Sequence, residues 1–126
     1  MVLLVVALVA MAQLMAISLR MQQLGRNQTA AMRLAQDKVD ELMSQNFNVA
    51  QLAQGGSLTA DQANHFDAPA GVPYRRRWFV EVLPADPPVP AGKLRRVTIR
   101  VIPVSSDRSV APAIDLVTIV RCWPCV

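Results

Sequence analysis

The chain has 126 residues, of which 52% are hydrophobic, and its formal net charge is +4. This length leaves room for one small domain in addition to a long helix. One histidine and two cysteines are too few for a structural zinc site, and no nucleophile with a positioned base is visible. We therefore expect no enzyme activity, no cofactor and no bound metal.

The first nineteen residues, MVLLVVALVAMAQLMAISL, carry no charged side chain. As a helix rising about 1.5 Å per residue they extend roughly 28 Å, close to the thickness of a bilayer core. Such a run is also found in cleaved secretory signals, here with Ala10-Met11-Ala12 as the site, and in buried core helices. No basic residue precedes that site and the apolar character continues to Leu19, so we expect residues 1–19 to span a membrane once.

A second helical segment continues through residues 20–47 without a proline and is rich in good helix formers. Four of its apolar residues recur at three- and four-residue steps and form a stripe on which we expect a sheet to pack. They are Met32, Ala35, Val39 and Leu42. Charged residues lie largely on the other side, where Arg33 and Asp37 have the i,i+4 spacing of an ion pair.

Residues 48–73 contain many Gly, Ala, Asn and Asp residues and predict a long connection before a sheet domain in residues 74–126. Three segments predict strands: Tyr74–Leu83 and Lys93–Pro103, in which apolar residues alternate, and Ile114–Cys122, which is rich in β-branched residues. Their short connections favour an antiparallel meander. The predicted fold class is α+β, with one long N-terminal helix, half in a membrane and half amphipathic, packed on a small antiparallel sheet of three to four strands.

The sheet domain is basic, with nine basic and four acidic residues in 74–126. We expect four of its arginines on the outer face of the sheet: Arg75, Arg77, Arg96 and Arg100. The pattern is typical of a solvated face. The alternative function is a membrane-anchored binding module whose basic face binds nucleic acid or another acidic partner. Exposed aromatic residues do not interleave with these arginines, which disfavours nucleic acid.

The two cysteines, Cys122 and Cys125, lie in the sequence CWPC. In an exported domain this spacing predicts a small disulfide loop. Redox chemistry and half a metal site are the alternatives. Redox chemistry needs a thiolate activated at a helix N-terminus, and a metal site needs two further ligands. Neither requirement is met in the sequence, so we favour a structural disulfide or two idle thiols.

The order of elements resembles the type IV pilin and pseudopilin family. In residues 31–47, AMRLAQDKVDELMSQNF, the pattern A-x-x-L-A-x-x-K-x-x-E-L is similar to the stretch that follows the hydrophobic segment in minor pilins and type II secretion pseudopilins. It comprises Ala31, Leu34, Ala35, Lys38, Glu41 and Leu42. Further on, YRRRWFVEVLP and LRRVTIRVIPV look like the sheet of the minor members.

This resemblance implies a structural minor subunit of a type IV pilus or of a type II secretion pseudopilus. The chain would be anchored in the inner membrane of a bacterium with its C-terminal domain in the periplasm. Its partners would be other pilin or pseudopilin subunits and the inner-membrane assembly platform. The resemblance also implies that one side of the span packs against neighbouring subunits in a filament. That helix-assembly surface comprises Leu3, Ala7, Ala10, Leu14 and Ile17.

The family's defining processing box is a Gly at the peptidase cut followed by Phe or Met, with a Glu at the fifth mature position. It does not occur in this chain. Arg20, Arg26 and Arg33 follow the span and nothing basic precedes it, which by the positive-inside rule would place the C-terminal part in the cytoplasm. A start codon further upstream, with a basic leader and the box, would resolve both discrepancies, and we expect one. The alternatives are an unprocessed chain and a secreted protein cleaved near Gln13.

Overall fold

The computed structural model describes residues 1–85, 87–105 and 112–122. Within them lie helix α1 (Val2–Ser44), a short 3-10 helix (Ala50–Leu52) and five strands. The strands are β1 (Gly55–Gly56), β2 (Phe66–Asp67), β3 (Tyr74–Val82), β4 (Leu94–Pro103) and β5 (Ile114–Arg121). The predicted α+β class is confirmed, because one long N-terminal helix packs on a small antiparallel sheet.

Helix α1 is continuous for 43 residues, which corresponds to roughly 65 Å. It therefore joins the predicted span to the predicted amphipathic segment without a break. The helix ends at Ser44, since Gln45 has an extended backbone with φ −82° and ψ 161°. Just beyond, the backbone N–H of Asn48 donates to Oδ1 of Asn46 at 3.2 Å. Such a local side-chain bond offers the backbone an alternative to the helical ladder.

Strands β3, β4 and β5 form an antiparallel meander with β4 between the other two. In its register, Trp78 pairs with Ile99 and Ile99 pairs with Leu116. Strands β1 and β2 lie one after the other along the remaining edge of β3. Both belong to the segment predicted as a connection. A strand of two residues shows no alternation, so the sequence contains no signal for either of them.

The core lies between α1 and the inner face of the sheet. The buried side chains of that face are Tyr74, Trp78 and Val80 on β3, Val97, Ile99 and Val101 on β4, and Val120 on β5. Helix α1 meets them with Ala31 and Ala35, both fully buried. These small side chains allow the sheet to approach the helix backbone closely, so the register of the helix against the sheet is tightly constrained.

The buried side of α1 differs from the predicted stripe at one position. Ala35 and Leu42 are buried and Val39 packs partly buried against the core, but Met32 is 36% exposed. Met32 lies at the edge of the helix–sheet contact, where it lines a groove with Ile114 of β5, while the buried line starts at Ala31 and passes through Ala35, Lys38 and Leu42. An apolar pattern does not include Lys38, since lysine is among the residues least often buried.

Candidate functional site: the exposed span and the helix–sheet junction

The N-terminal half of α1 projects from the sheet. Its most apolar 18-residue window has a mean hydropathy of 2.6, and no part of that window is buried. The first tertiary hydrogen bond to α1 is made by the Tyr74 hydroxyl, which donates to the carbonyl oxygen of Asn27 at 3.3 Å. The helix is long and apolar enough to cross a membrane, and its exposure distinguishes it from the core helix of a soluble protein.

The residues of the predicted helix-assembly surface all lie on this projecting half and are exposed. Leu3 is 86% exposed, Leu14 is 68% exposed and Ile17 is 52% exposed, while Ala7 and Ala10 lie between them on the same side of the helix. The single chain offers these side chains no partner among its described residues. Their role in assembly stays a prediction.

Lys38 is the centre of a polar cluster at the junction of α1 with the sheet. Its side chain is 1% exposed, and its ammonium group lies 4.4 Å from the centroid of the Trp78 ring. The same Nζ donates to Oε1 of Glu41 at 2.8 Å and approaches Oε1 of Gln51 at 3.5 Å. A buried ammonium group is tolerated only with such partners, because an unpaired charge in the core is very costly.

Asp67 on β2 connects this cluster to β3. Its Oδ2 lies 3.3 Å from Nζ of Lys38. Arg76 donates to both of its oxygens, with Nε–Oδ1 at 2.6 Å and Nη2–Oδ2 at 2.7 Å. The carboxylate therefore accepts a bidentate pair from β3 and a charge contact from α1. Through Asp67, the short strand β2 joins the helix and the sheet.

Arg95, near the start of β4, contacts the segment that follows α1. Its Nη1 donates to the carbonyl oxygens of Phe47 at 2.7 Å and Leu52 at 2.6 Å. Its guanidinium carbon lies 3.9 Å from the centroid of the Phe47 ring. Burial lowers the pKa of Arg95 through desolvation. The contacts hold the segment after the helix against β4, since those carbonyls have no ladder partners of their own.

The four arginines expected on the outer face are all ion-paired. Arg75 and Arg77 both donate to Asp61, each at 2.6 Å. Arg96 pairs with Glu81 at 3.1 Å, and Arg100 makes two hydrogen bonds of 2.7 Å to Asp115. The hydrogen bonds that Arg100 donates hold the pKa of Asp115 below its usual range, and they raise the pKa of Arg100. Each positive charge of this set is thus partly neutralised within the chain.

Cys122 is buried and disulfide-bonded. Its predicted partner Cys125 lies outside the described residues. His65, the single histidine, lies in the segment between β1 and β2, directly before Phe66, and its side chain is buried. Its ring nitrogens lie 3.0 Å from the Ala53 carbonyl oxygen and 3.2 Å from that of Ala63. Within the described residues, no group of His, Cys, Asp or Glu is arranged to hold a metal ion.

Sequence reasoning misses Lys38 as a buried residue and Arg95 as a partly buried residue that points toward the helix side of the sheet. Lys38 does carry a signal, because it lies three residues after Ala35 and four before Leu42 and so interrupts a continuous stripe. Arg95 carries one too, since in β4 it precedes the alternating inward residues Val97 and Ile99 by even steps. Asp67 carries no such signal, because its partners Lys38 and Arg76 lie outside the spacing of any local pattern.

The comparisons with known proteins provide no family assignment. No protein-family model, no curated protein and no solved structure matches this chain.

Proposed function

We propose that this protein is a membrane-anchored structural subunit of a pilin-like filament, of the minor pilin or minor pseudopilin kind. The observation that carries the proposal is the division of α1 into two halves of opposite environment. One half is apolar and entirely unburied, and the other packs on an antiparallel sheet. The same apolar surface can lie in lipid before assembly and against other helices afterwards, because both environments are apolar.

In this proposal the chain is inserted in the inner membrane of a bacterium, with the sheet domain in the periplasm. Neighbouring pilin or pseudopilin subunits and an assembly platform are its partners. The role is structural and includes no catalysis. The sheet fixes the direction in which the helix projects, because Ala31, Ala35 and the Lys38 cluster hold one helix face against it.

The rival function is a membrane-anchored module that binds nucleic acid through its basic face. Its four arginines are held in ion pairs with Asp61, Glu81 and Asp115. A phosphate backbone would have to displace those carboxylates, which lowers the gain from counterion release. This observation favours the structural role.

Membrane insertion is tested with a matched pair of substitutions in the full-length tagged gene product. Leu8 and Met43 are similarly exposed, at 60% and 56%, but only Leu8 lies in the span. Arginine near the centre of a span costs about 3 kcal/mol of insertion free energy. We expect Leu8→Arg to be released from membranes by alkaline carbonate and Met43→Arg to remain with the wild type.

Assembly is tested in the same strains by shearing surface filaments and probing them for the tag. Detection of the wild type in that fraction supports the filament role. N-terminal sequencing of the native protein then separates the remaining possibilities. A mature end near Gln13, with the protein in the soluble fraction, would refute the proposal.

A further inference from the structure

Helix α1 and strand β3 run in the same direction, so one end of the sheet lies toward the apolar span. Tyr74, the first residue of β3, donates to the carbonyl oxygen of Asn27 at 3.3 Å. Further along β3, the ring of Trp78 lies 4.4 Å from the ammonium group of Lys38. The end of the sheet at which β3 begins and β4 ends is therefore the end nearest the span.

This end of the sheet domain carries exposed apolar side chains beside a cation of α1. Val72, just before β3, is 38% exposed, and Val104, just after β4, is 59% exposed. The two segments are joined, because the backbone N–H of Val104 donates to the carbonyl oxygen of Pro73 at 2.9 Å. Val72 also lines an open groove with Gly25 and Arg26. We call Arg26, Val72 and Val104 the base of the sheet domain.

The height of the base above the span follows from the helix. The uncharged run ends at Leu19, and Arg20 is the first charged residue. Arg26 lies seven residues beyond Leu19, which is roughly 10 Å along the axis. The headgroup layer is roughly 5–8 Å thick on each side of the hydrocarbon core, and the long arginine side chain covers the remaining distance. With α1 across a bilayer, the base therefore lies at the headgroups.

The charges at this height are positive and have no acidic neighbour on the helix. Residues 1–36 contain three arginines and no Asp or Glu. Neither Arg20 nor Arg26 makes an ion pair within the part of the chain that the structure describes. Asp37, the first acidic residue, is roughly 16 Å farther along the axis than Arg26. That distance exceeds the screening length of about 8 Å at physiological salt.

Two further arginines near the base add little to it. Arg75 lies one residue inside β3, but its charge is balanced by Asp61, with Nη1 and Oδ2 2.6 Å apart. Arg33 lines the same groove as Arg26 and is on the same side of α1, two turns farther on. It is roughly 21 Å beyond Leu19, where solution screens the charge of the headgroups. Arg26 and Arg33 thus differ mainly in height.

We propose that the base binds the anionic headgroup surface of the bilayer that α1 crosses. Arg26 and Arg20 contact lipid phosphates, and the two valines enter the headgroup region. Cations near an anionic membrane are attracted to it, and the exposed apolar side chains leave water. The contact seats the sheet domain on the membrane. The inference rests on the membrane-anchored part of the proposed function and does not require a filament.

The test places the full chain in nanodiscs of phosphatidylcholine with or without phosphatidylglycerol. Val104→Cys carries a fluorophore that brightens in an apolar environment, and an oxidising buffer preserves the Cys122 disulfide. The matched control is Val117→Cys, because Val117 is 57% exposed. It lies in one row of the sheet with Thr98 and Phe79, roughly 16 Å farther from the membrane than the start of β3. We expect phosphatidylglycerol to brighten the Val104 label severalfold and to leave the Val117 label unchanged.

The role of charge is tested in the labelled Val104→Cys protein. Arg26→Glu should remove most of the brightening, because attraction to the headgroups becomes repulsion. Arg33→Glu has the same charge change on the same side of α1 and should leave the signal unchanged. High salt should reduce the signal, since salt screens the contact. Inorganic phosphate should reduce it no more than chloride at equal ionic strength, because the ligand is a membrane surface and not a free anion.

Three results would each overturn the proposal: equal brightening with and without phosphatidylglycerol, equal effects of Arg26→Glu and Arg33→Glu, or a Val117 label as bright as the Val104 label. A specific loss of signal with inorganic phosphate would also overturn it, in favour of a free anion. Near-UV circular dichroism verifies that each variant is folded. A chain that does not enter the discs refutes the membrane anchor and this inference with it. A chain that enters them without contact at Val104 refutes only this inference.

Discussion

The ammonium group of Lys38 lies 4.4 Å from the centroid of the Trp78 ring, inside the interface between α1 and β3. This contact places a charge from the helix directly on the largest core side chain of the sheet. Because Glu41 and Asp67 are 43% and 31% exposed, the charge is balanced by carboxylates at the rim of the core. The stem of Lys38 packs as an apolar chain, and its head reaches these rim groups.

The first prediction concerns the stem of Lys38. Lys38→Ala removes a fully packed side chain, and we expect a loss of about 2 kcal/mol in the free energy of unfolding. Lys38→Met keeps the volume, and Asp67 retains Arg76, so the loss should be less than half as large. Denaturant unfolding in detergent, followed by near-UV circular dichroism, measures both. Equal losses would show that the charge contacts, and not the packing, stabilise the junction.

The second prediction concerns Gly56 on β1. Its φ is +100°, and a Cβ added there would overlap the carbonyl oxygen of Trp78 and lie 2.9 Å from Cδ2 of His65. Gly55 has φ +129° but nothing within 4 Å of an added Cβ. We expect Gly55→Ala to cost about 1 kcal/mol from the backbone alone and Gly56→Ala clearly more. The difference between the two unfolding midpoints isolates the steric contact, and no difference would refute it.

The third prediction concerns pH and the pair of Arg100 and Asp115. The hydrogen bonds from Arg100 lower the pKa of Asp115 in the folded protein. A carboxyl group whose pKa is lower in the folded than in the unfolded protein stabilises the fold at pH values above its ordinary pKa near 3.8. That stabilisation is lost as the pH falls through the lowered pKa of the folded protein. Asp115 is 42% exposed, so the effect is only about 0.5 kcal/mol.

Asp115→Asn should therefore lower the unfolding midpoint at pH 6 and have almost no effect near pH 2. The matched control is Asp40→Asn, an exposed carboxylate without an ion pair within the described residues. A deficit for Asp115→Asn that persists unchanged at pH 2 would contradict the assignment to this pair.

The fourth prediction concerns the helix-assembly surface. Ala7→Phe and Ala10→Phe add bulk to the predicted side of the span without adding charge, so membrane insertion should be retained. Close helix approach depends on small side chains at the contact, and we expect both variants to be depleted severalfold from the sheared filament fraction. Ala12→Phe, on the opposite side of the helix, is the control. Equal depletion of all three variants would refute the predicted helix-assembly surface.

The fifth prediction concerns Gly25 in the middle of α1. The helix passes through it without a break, and nothing lies within 4 Å of an added Cβ. Gly25→Ala should stabilise the segment between span and sheet by up to about 1 kcal/mol. Slower amide hydrogen exchange around Gly25 would be the readout. Unchanged exchange there, with Leu42 as internal reference, would contradict the expectation.

Local patterns were sufficient for most of the fold. The uncharged run before Arg20 and the proline-free segment after it predict one continuous helix, because helix propensity and hydrophobicity act over neighbouring residues. Alternation in β3 and β4 predicts their inner faces for the same reason, and the β-branched residues of β5 predict a third strand. In contrast, β1 and β2 form because they pair with the open edge of β3, and segments of two residues show no sequence pattern that predicts a strand.

The sequence by itself determined the continuous helix with its apolar first half and the antiparallel order of β3, β4 and β5, since each follows from patterns among residues a few positions apart. Only the tertiary structure decided that Lys38 belongs to the buried surface of α1. Its burial depends on Trp78 and Asp67, which are 40 and 29 residues away in the chain. The tertiary structure also decided that Arg75, Arg77, Arg96 and Arg100 are held in ion pairs. Ion pairs form between side chains that the fold brings close together, and the spacing of residues along the chain does not predict which side chains these are.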